Sequence, residues 1–288
     1  KYIVLFISLI SIMIIVGALF YYKNEESSIK IKEHNNLRAV AELKINQLTQ
    51  WLNERIGDAK ILSSSPFFAK NIGIWFDNQD NQTLKNDIKN RFLQYKNIYS
   101  YRDVFLCSKN GEILIASNTD KHLDSITIQK IKVSFDSNRI VFTDFYYCNM
   151  HNDIHFDIIT PVYNEKNESF AVIIIRIAPE EYIFPLIQSW PTPSKTAETI
   201  IIRKDKDGVL FLNELRHKKN TALKYKLSLK ELNAPGVQAV KGYEGIYEGI
   251  DYRGIKVLSE IRNVSNTNWY MIAKVDKSEI YAELNYRS

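Results

Sequence analysis

The chain opens with an unbroken apolar segment. No charged side chain lies between Lys1 and Lys23, and about 20 helical residues at ~1.5 Å each cross the ~30 Å apolar layer of a bilayer. The segment ends in Phe20 and two tyrosines, residues that favour the membrane interface, whereas a cleaved signal peptide has a shorter apolar region followed by small residues. The pattern predicts a transmembrane helix over residues 1–22.

A second helical pattern follows at once. From Glu26 to Leu62, apolar residues recur every three or four positions, which predicts one amphipathic helix of about 55 Å. The sequence SSSP ends the pattern at Pro66, so we predict a long stalk helix over residues 23–65. The same stripe is suited to pairing with a second copy, which predicts a homodimer through this helix. The stripe consists of Leu37, Ala41, Ile45, Leu48, Leu52, Ile56, Ala59 and Leu62.

The next region mixes helical and strand patterns. Helical spacing over residues 67–76 and 84–98 precedes VFLCSKNGEILIAS, a hairpin pattern around an Asn-Gly pair. A helical pattern over residues 123–135 follows, and RIVFTDFY, DIHFDIITPVYN and SFAVIIIRIA alternate as strands. Another helical turn over residues 181–188 precedes WPTPSKT, whose prolines indicate a linker. The order is typical of a PAS-like α/β unit, which we place over residues 66–190.

The plan then repeats in shorter form. ETIIIRKDKDGVLFLN is a hairpin pattern, and YEGIYEGIDYRGIKVLSEIRNVSNTNWYMIAKV contains three strands. We place this second PAS-like unit over residues 191–276, and residues 214–242 show too little periodicity for a prediction. Asp276, with Glu279 in the capping-box position, predicts an exit helix over residues 277–288 that leads towards a second transmembrane span.

The predicted fold class is therefore α+β. An N-terminal transmembrane helix and a long helix precede two tandem PAS-like α/β units with antiparallel sheets. The final strand begins at Trp269, whose indole is expected to be buried at the base of the second unit.

Composition narrows the function classes. Lys and Arg number 38 against 33 Asp and Glu, and the surplus is scattered, so no nucleic-acid partner is expected. The two cysteines, Cys107 and Cys148, exclude a disulfide framework. Two free thiols are expected, and a single bridge is the alternative. We find no glycine-rich phosphate loop, GxSxG elbow or HExxH helix, and so predict no catalytic residues and no cofactor.

Two histidines have the spacing of metal ligands on a helix, but the pattern around them predicts a turn that enters a strand. His151 and His155 lie in MHNDIHFD, and an extended strand at ~3.3 Å per residue separates them by about 13 Å. At that separation two imidazoles cannot share an ion unless the chain bends, so the sequence predicts no metal site.

Three stretches carry a resemblance to a known family. They are ITPVYNEKNESFAVIIIRI in the first unit, DYRGIKVLSEI in the second, and the closing SNTNWYMIAKVDKSEI. In this order they resemble the double Cache (dCache) sensor domains of bacterial transmembrane receptors. The resemblance implies an extracytoplasmic or periplasmic sensor anchored in the bacterial cytoplasmic membrane, with residues 66–190 as the membrane-distal, ligand-binding unit and residues 191–276 as the membrane-proximal unit.

The resemblance also implies a cytoplasmic output module. We expect the full-length protein to be a sensor histidine kinase of a two-component system. A diguanylate cyclase and a chemoreceptor are alternatives within the class. The alternatives from other classes are a membrane-anchored extracytoplasmic enzyme and a structural module.

Site residues follow partly from the resemblance. Amino-acid-sensing members use a Tyr after the third strand and an Asp on the last strand; Tyr146 stands at the first position, and Arg176 replaces the Asp at the second. The family's Arg-x-Trp-Tyr element is missing. If Arg176 faces inward, its guanidinium favours an anion over an ammonium group, and if it faces outward it is a surface cation. We therefore expect an anionic or neutral small-molecule ligand.

Alternation along the strands extends the candidate set. His155 and Asp157 share one strand face, Asp144 and Tyr146 another, and Arg102 lies beside a tyrosine where the first strand begins. The full set of predicted ligand-binding residues is Tyr101, Arg102, Asp144, Tyr146, Tyr147, His155, Asp157 and Arg176.

Overall fold

The computed structural model describes residues 2–119 and 122–282, which form an α+β structure. The chain divides into two compact units, Gln47–Pro185 and the combination of Lys1–Asn46 with Leu186–Ser288. We call the first the β1–β6 unit and the second the β7–β12 unit, after the strands that each contains. Each unit also takes in part of the first helix. The domain boundaries drawn from the sequence stay predictions.

One helix, α1 (Tyr2–Ser64), joins the predicted membrane span to the predicted stalk. The described side chains of residues 2–24 are exposed, and the helix is long and apolar enough to cross a membrane by length and composition. It ends where Pro66 occupies the first turn of the next helix, because proline cannot donate the hydrogen bond that would continue α1.

The apolar stripe of α1 packs against sheets of the same chain. Leu37 and Ala41 belong to the core of the β7–β12 unit, and the neighbouring Trp51 packs against Phe156 in the β1–β6 unit with ring centroids 5.9 Å apart and planes tilted by 47°. Six of the eight predicted stripe positions are buried. A homodimer through α1 therefore needs a different face of the helix, and it stays a prediction.

The β1–β6 unit is an antiparallel sheet with helices. The strand order is β2-β1-β6-β5-β3, and β4 pairs with β5. Helix α4 covers one face through a core that includes Phe105, Ile131 and Ile174. The elements are α2 (Pro66–Asp77), α3 (Gln82–Tyr99), β1 (Asp103–Cys107), β2 (Ile113–Ala116), α4 (Ser125–Ser137), β3 (Val141–Phe142), β4 (Tyr146–Cys148), β5 (Asp153–Tyr163), β6 (Ser169–Ile177) and α5 (Ile183–Gln188).

The segment RIVFTDFY forms two short strands instead of the single strand predicted. Between them, the backbone N–H of Thr143 still donates to the carbonyl of Asp157, but the return bond from the backbone N–H of Asp157 goes to the Thr143 hydroxyl at 2.9 Å. Asp144 then accepts the backbone N–H of Phe145 at 2.8 Å. Side-chain hydrogen bonds thus replace part of the strand ladder between β3 and β4.

The β7–β12 unit repeats the antiparallel plan with strand order β10-β11-β12-β7-β8-β9. The segment 214–242 contains β9 and α6, neither of which the sequence indicated. Helix α6 packs Val237 against Ile202 and Ile272 in the core. The elements are β7 (Glu198–Asp205), β8 (Gly208–Phe211), β9 (Lys226–Ser228), α6 (Pro235–Val240), β10 (Gly245–Ile250), β11 (Lys256–Asn263), β12 (Trp269–Asp276) and α7 (Lys277–Ile280).

The closing strand begins as expected, but the predicted capping box does not form. Trp269 opens β12 with 1% of its surface exposed. Asp276 is the N-cap of α7, yet its side chain makes no capping hydrogen bond and pairs with Arg253 instead. Glu279 accepts the backbone N–H of Thr196 at 2.8 Å. These tertiary partners outcompete the local cap, and residues 283–288 of the predicted exit helix lie outside the described residues.

Candidate functional site

A cavity of about 400 Å³ lies in the β1–β6 unit, where the end of α3, the start of β1, the β4–β5 turn and the end of β6 meet. This volume suits a small molecule. Three polar or charged side chains in its wall are themselves buried: Asp103, His155 and Arg176. The wall consists of Lys96, Tyr101, Arg102, Asp103, Asn118, His151, His155, Arg176 and Glu181.

Arg176 points inward from β6 and is held by its neighbour strand. Its side chain is 2% exposed, and Nε and Nη2 donate to the two carboxylate oxygens of Asp157 at 3.0 and 3.1 Å. The third arm, Nη1, donates to the carbonyl oxygen of His122 at 2.9 Å. Because β5 and β6 pair with Asp157 opposite Arg176, the bidentate ion pair forms directly across the sheet.

Two hydroxyl groups complete the surroundings of Asp157. Thr127 and Tyr146 donate to its Oδ2 at 2.6 and 2.7 Å. Burial alone would raise the pKa of Asp157, but the charge of Arg176 and these hydrogen bonds outweigh burial and lower the pKa. The carboxylate is therefore ionised and neutralises Arg176. The positive charge of Arg176, which we expected from the sequence to favour an anionic ligand, is therefore already paired with Asp157.

Asp103 brings a carboxyl group into the same wall. It opens β1 opposite Arg176, and its Oδ1 accepts the backbone N–H groups of Val104 at 2.9 Å and Asn118 at 3.2 Å, together with the hydroxyl of Ser117. Burial raises its pKa. The wall thus offers acidic groups as well as cations to a ligand.

Tyr101 and Arg102 are adjacent in the chain but differ in burial and in their contacts. The Tyr101 hydroxyl donates to Asp58 at 2.6 Å, and Arg55 lies over the tyrosine ring with its guanidinium carbon 5.8 Å from the centroid. Burial, followed by the hydrogen bond to Asp58, raises the pKa of Tyr101. Arg102 has a side chain that is 43% exposed and pairs with Asp153 at 3.4 Å. Tyr101 is therefore a buried, hydrogen-bonded part of the wall, and Arg102 is a partly exposed cation paired with Asp153.

The eight predicted site residues fall into three groups. Tyr101, Arg102, His155 and Arg176 line the cavity. Tyr146 and Asp157 lie behind Arg176 and position it. Asp144 hydrogen-bonds within its own turn, and Tyr147 donates to Asn152 in the β4–β5 hairpin. As the ligand-binding set, these eight residues stay a prediction.

Five wall residues are not among the ligand contacts predicted from the sequence. Asp103 had a usable signal, since it is the one polar residue opening the apolar run DVFLC. The other residues come from a helix end, loops and a turn, which no periodicity brings together. They are Lys96, Asn118, His151 and Glu181.

The separation predicted for the two histidines is wrong. The rings of His151 and His155 have centroids 5.1 Å apart, because the chain turns between β4 and β5 with Asn152 at φ 53°. The estimate of about 13 Å assumed an extended strand. His151 lies in the turn and folds back over His155 on β5, and the geometric argument against a shared ion fails.

Two other cavities are weaker candidates for a binding site. A groove of about 720 Å³ lies between α2 and the β5–β6 turn and is lined mostly by loop and helix-surface residues. A second cavity of about 540 Å³ lies in the β7–β12 unit. Its buried acid, Asp251, is already bound by Arg253 and Lys274. We therefore take the cavity beside Arg176 as the candidate site.

Solved structures with the same fold include sensory and ligand-binding domains of bacterial chemoreceptors. The Campylobacter jejuni chemoreceptor Tlp3, solved with isoleucine bound, aligns with a TM-score of 0.60 at 13% identity over 88% of this chain and 96% of that one. The Pseudomonas aeruginosa amino acid chemoreceptor PctB, in complex with L-glutamine, gives 0.58 at 17% identity over 86% and 92%. The Pseudomonas fluorescens chemoreceptor CtaA, in complex with L-serine, gives 0.57 at 15% identity over 86% and 99%. At these identities the likeness shows the fold.

The sequence itself matches a family model. No curated protein matches the sequence, but the Cache domain model, of the dCache type, matches residues 25–284. That match begins just after the apolar part of α1 and covers both sheets. The chain therefore belongs to the Cache domain family.

Proposed function

We propose that this chain is the extracytoplasmic sensing region of a bacterial membrane receptor and that a small molecule binds in the cavity beside Arg176. The observation that carries the proposal is a cavity of about 400 Å³ in a Cache domain, into which buried Asp103 and Arg176 converge. Buried polar groups in the wall of a cavity of this size are typical of a site that orients a small ligand.

The charge balance of the wall favours a ligand with no net charge. Arg176 is neutralised by Asp157, so the preference for an anion loses its main support. The wall also contains two cations, Lys96 and Arg102, of which Arg102 pairs with Asp153, and two acids, Asp103 and Glu181. A small polar molecule with acceptor groups near Arg102 and donor groups near Asp103 satisfies both.

Free amino acids belong to this ligand class. From the sequence we expect them to bind less well than anions, but Asp103 in the wall offers a partner for an ammonium group. The related sensory domains of Tlp3, PctB and CtaA were solved with amino acids, which supports the proposal without identifying the ligand.

The test is a ligand screen on the detergent-purified chain. Amino acids, simple carboxylates, amines and sugars are compared by thermal shift, since a ligand that binds only the folded state raises its apparent stability. The best hit is then measured by calorimetry with Asp103→Asn, which we expect to weaken binding at least about tenfold through loss of a charge-assisted contact. Asp207→Asn is the control, because Asp207 is exposed in the β7–β8 turn. Equal binding by all three proteins would contradict the proposed site.

Transmission is proposed to run through α1. The helix is continuous from the apolar segment to the β1–β6 unit, where Trp51 packs on Phe156 beside the sheet that carries Asp157. A ligand that favours one arrangement of the sheet would shift the helix and pass a small displacement to the membrane.

The output module is proposed to be a histidine kinase. A chemoreceptor is the second candidate, and the solved relatives favour it because their sensory domains come from chemoreceptors. The domain encoded with this region in the same gene decides between a kinase, a cyclase and a methyl-accepting module.

A further inference from the structure

A cysteine and two histidines converge beside the cavity. Cys148 ends β4, His151 lies in the turn, and His155 lies on β5. The turn brings Cys148 Sγ to 3.1 Å from His151 Nδ1. One ligand atom from each of the three residues lies within 4.8 Å of the other two. The three side chains thus form one cluster on one hairpin.

A second pair of side chains reaches the same sulfur. His122 and Asp124 immediately precede α4, and their ligand atoms lie with Cys148 Sγ in a second group in which all separations are within 4.8 Å. His122 Nε2 is 3.5 Å from Asp124 Oδ1, and the rings of His122 and His151 have centroids 5.9 Å apart. Cys148 is therefore the shared centre of two potential ligand sets.

His155 is a fully buried histidine whose ring nitrogens lack hydrogen-bond partners among the described residues. A buried imidazole with unpartnered nitrogens costs free energy, since it gives up its hydrogen bonds to water. A metal–nitrogen bond within the cluster would satisfy one nitrogen.

We propose that Cys148, His151 and His155 bind a divalent ion of the zinc class, with a carboxylate oxygen of Asp124 as fourth ligand and His122 hydrogen-bonded to that carboxylate. Thiolate and imidazole ligands favour zinc over the hard cations magnesium and calcium. One thiolate and one carboxylate balance the charge of the ion, which suits a buried site. Binding displaces the thiol proton to solvent.

The geometry requires a modest contraction. Zinc–sulfur and zinc–nitrogen bonds of about 2.3 and 2.0 Å place tetrahedral ligand atoms about 3.3 to 3.5 Å apart. The ligand atoms of Cys148, His151 and His155 lie within 4.8 Å of one another, and Asp124 lies within 4.8 Å of the shared Cys148 sulfur, so side-chain movements of about 1 to 1.5 Å are needed to gather the four atoms around one ion. The bound ion would tie the β4–β5 hairpin to the start of α4.

The metal ion itself is the probe, so the test does not require the small-molecule ligand, although His151 and His155 also lie in the wall of that cavity. The detergent-purified chain is stripped with a chelator and titrated with Co²⁺ and Zn²⁺. We expect one Co²⁺ per chain, with tetrahedral visible bands and a thiolate-to-cobalt charge-transfer band, displaced by an equivalent of Zn²⁺. Circular dichroism checks that the stripped wild type is still folded. If that folded protein shows no saturable Co²⁺ binding, the proposal is overturned.

Variants assign the ligands. Cys148→Ser should abolish the charge-transfer band, and His151→Gln, at a half-buried turn position that tolerates change, should weaken Co²⁺ binding by about 100-fold or more. Cys107→Ala is the matched control, since Cys107 is the other buried thiol but lies in the apolar core on β1. A charge-transfer band that persists in Cys148→Ser, or that is lost in Cys107→Ala, contradicts the assignment.

Discussion

The two units place a buried cation at the same position of their sheets and use it differently. In each unit the cation lies on the last strand, opposite the residue that opens the unit's first strand. Arg176 lies opposite Asp103, and Lys274 lies opposite Glu198. All four residues are buried, so the tandem units share a charged pair of strand positions.

In the β7–β12 unit this pair closes on itself. Lys274 Nζ lies 2.9 Å from Glu198 Oε2 and 2.7 Å from Asp251 Oδ2. Tyr252 donates to Glu198 at 3.0 Å, and Arg253 binds the second acid, Asp251, at 2.7 Å. These opposite charges lie within one unit and hold β7, β12 and the β10–β11 turn together.

In the β1–β6 unit the cation pairs with the opposite neighbour strand. Arg176 binds Asp157 on β5, while Asp103 on β1 accepts hydrogen bonds from Ser117 and the backbone and stays in the cavity wall. The two units therefore differ in which neighbouring strand pairs with the cation. This pairing gives a structural ion cluster in the β7–β12 unit and leaves a polar cavity in the β1–β6 unit, to which we assign the ligand.

The largest effect expected from this comparison is on stability in the β7–β12 unit. Lys274→Met leaves Glu198 and Asp251 buried around an apolar side chain, and we expect a loss of about 3 to 5 kcal/mol in the free energy of unfolding. Urea unfolding followed by circular dichroism measures it. Lys277→Met is the control, because Lys277 pairs with Glu248 where both side chains are about a third exposed. Similar losses for the two variants would show that the buried cluster has no special role.

A smaller effect is expected in the β1–β6 unit. Arg176→Met leaves only one buried carboxylate, Asp157, which keeps the hydroxyl donors Thr127 and Tyr146. We expect a loss of about 3 kcal/mol, of which the double variant with Asp157→Leu recovers at least about half, because it removes the unpaired charge as well. Urea unfolding of the four proteins gives the coupling. A double variant less stable than Arg176→Met alone would contradict the ion-pair assignment.

The sequence predicted those parts of the fold that local patterns determine. The hairpin at Asn110 and Gly111 forms between β1 and β2, with a loop longer than two residues in which only Gly111 of this pair adopts a positive φ, 84°. The alternation of a strand places Arg176 on the same face as Ile174, which packs with Ile131 of α4. Both features depend on neighbours only a few residues apart.

Local sequence patterns could not predict that Asp157 is the partner of Arg176. Counting back from the pair Tyr163 and Ser169 without a bulge places Ile175 opposite Asp157. A register shift beside Tyr163 moves the pairing by one residue and aligns Asp157 with Arg176. The bulge has no signal in the sequence, yet it determines the charge of the cavity wall.

The smallest effect concerns an exposed ion pair of the β7–β12 unit. Glu248 accepts hydrogen bonds from Lys277 and Lys30, which lower its pKa from 4.5 to about 2. Because the folded pKa lies below the unfolded one, the contribution is complete above about pH 4.5 and is lost as the pH falls towards 2. Its side chain is 34% exposed, so solvent screening limits the contribution to about 0.5 to 1 kcal/mol. Glu248→Gln should therefore be less stable than wild type by this amount at pH 7 and by less at pH 3 and in 1 M salt, measured by urea unfolding. A difference that is independent of pH and salt would show that Glu248 acts through packing and not through its charge.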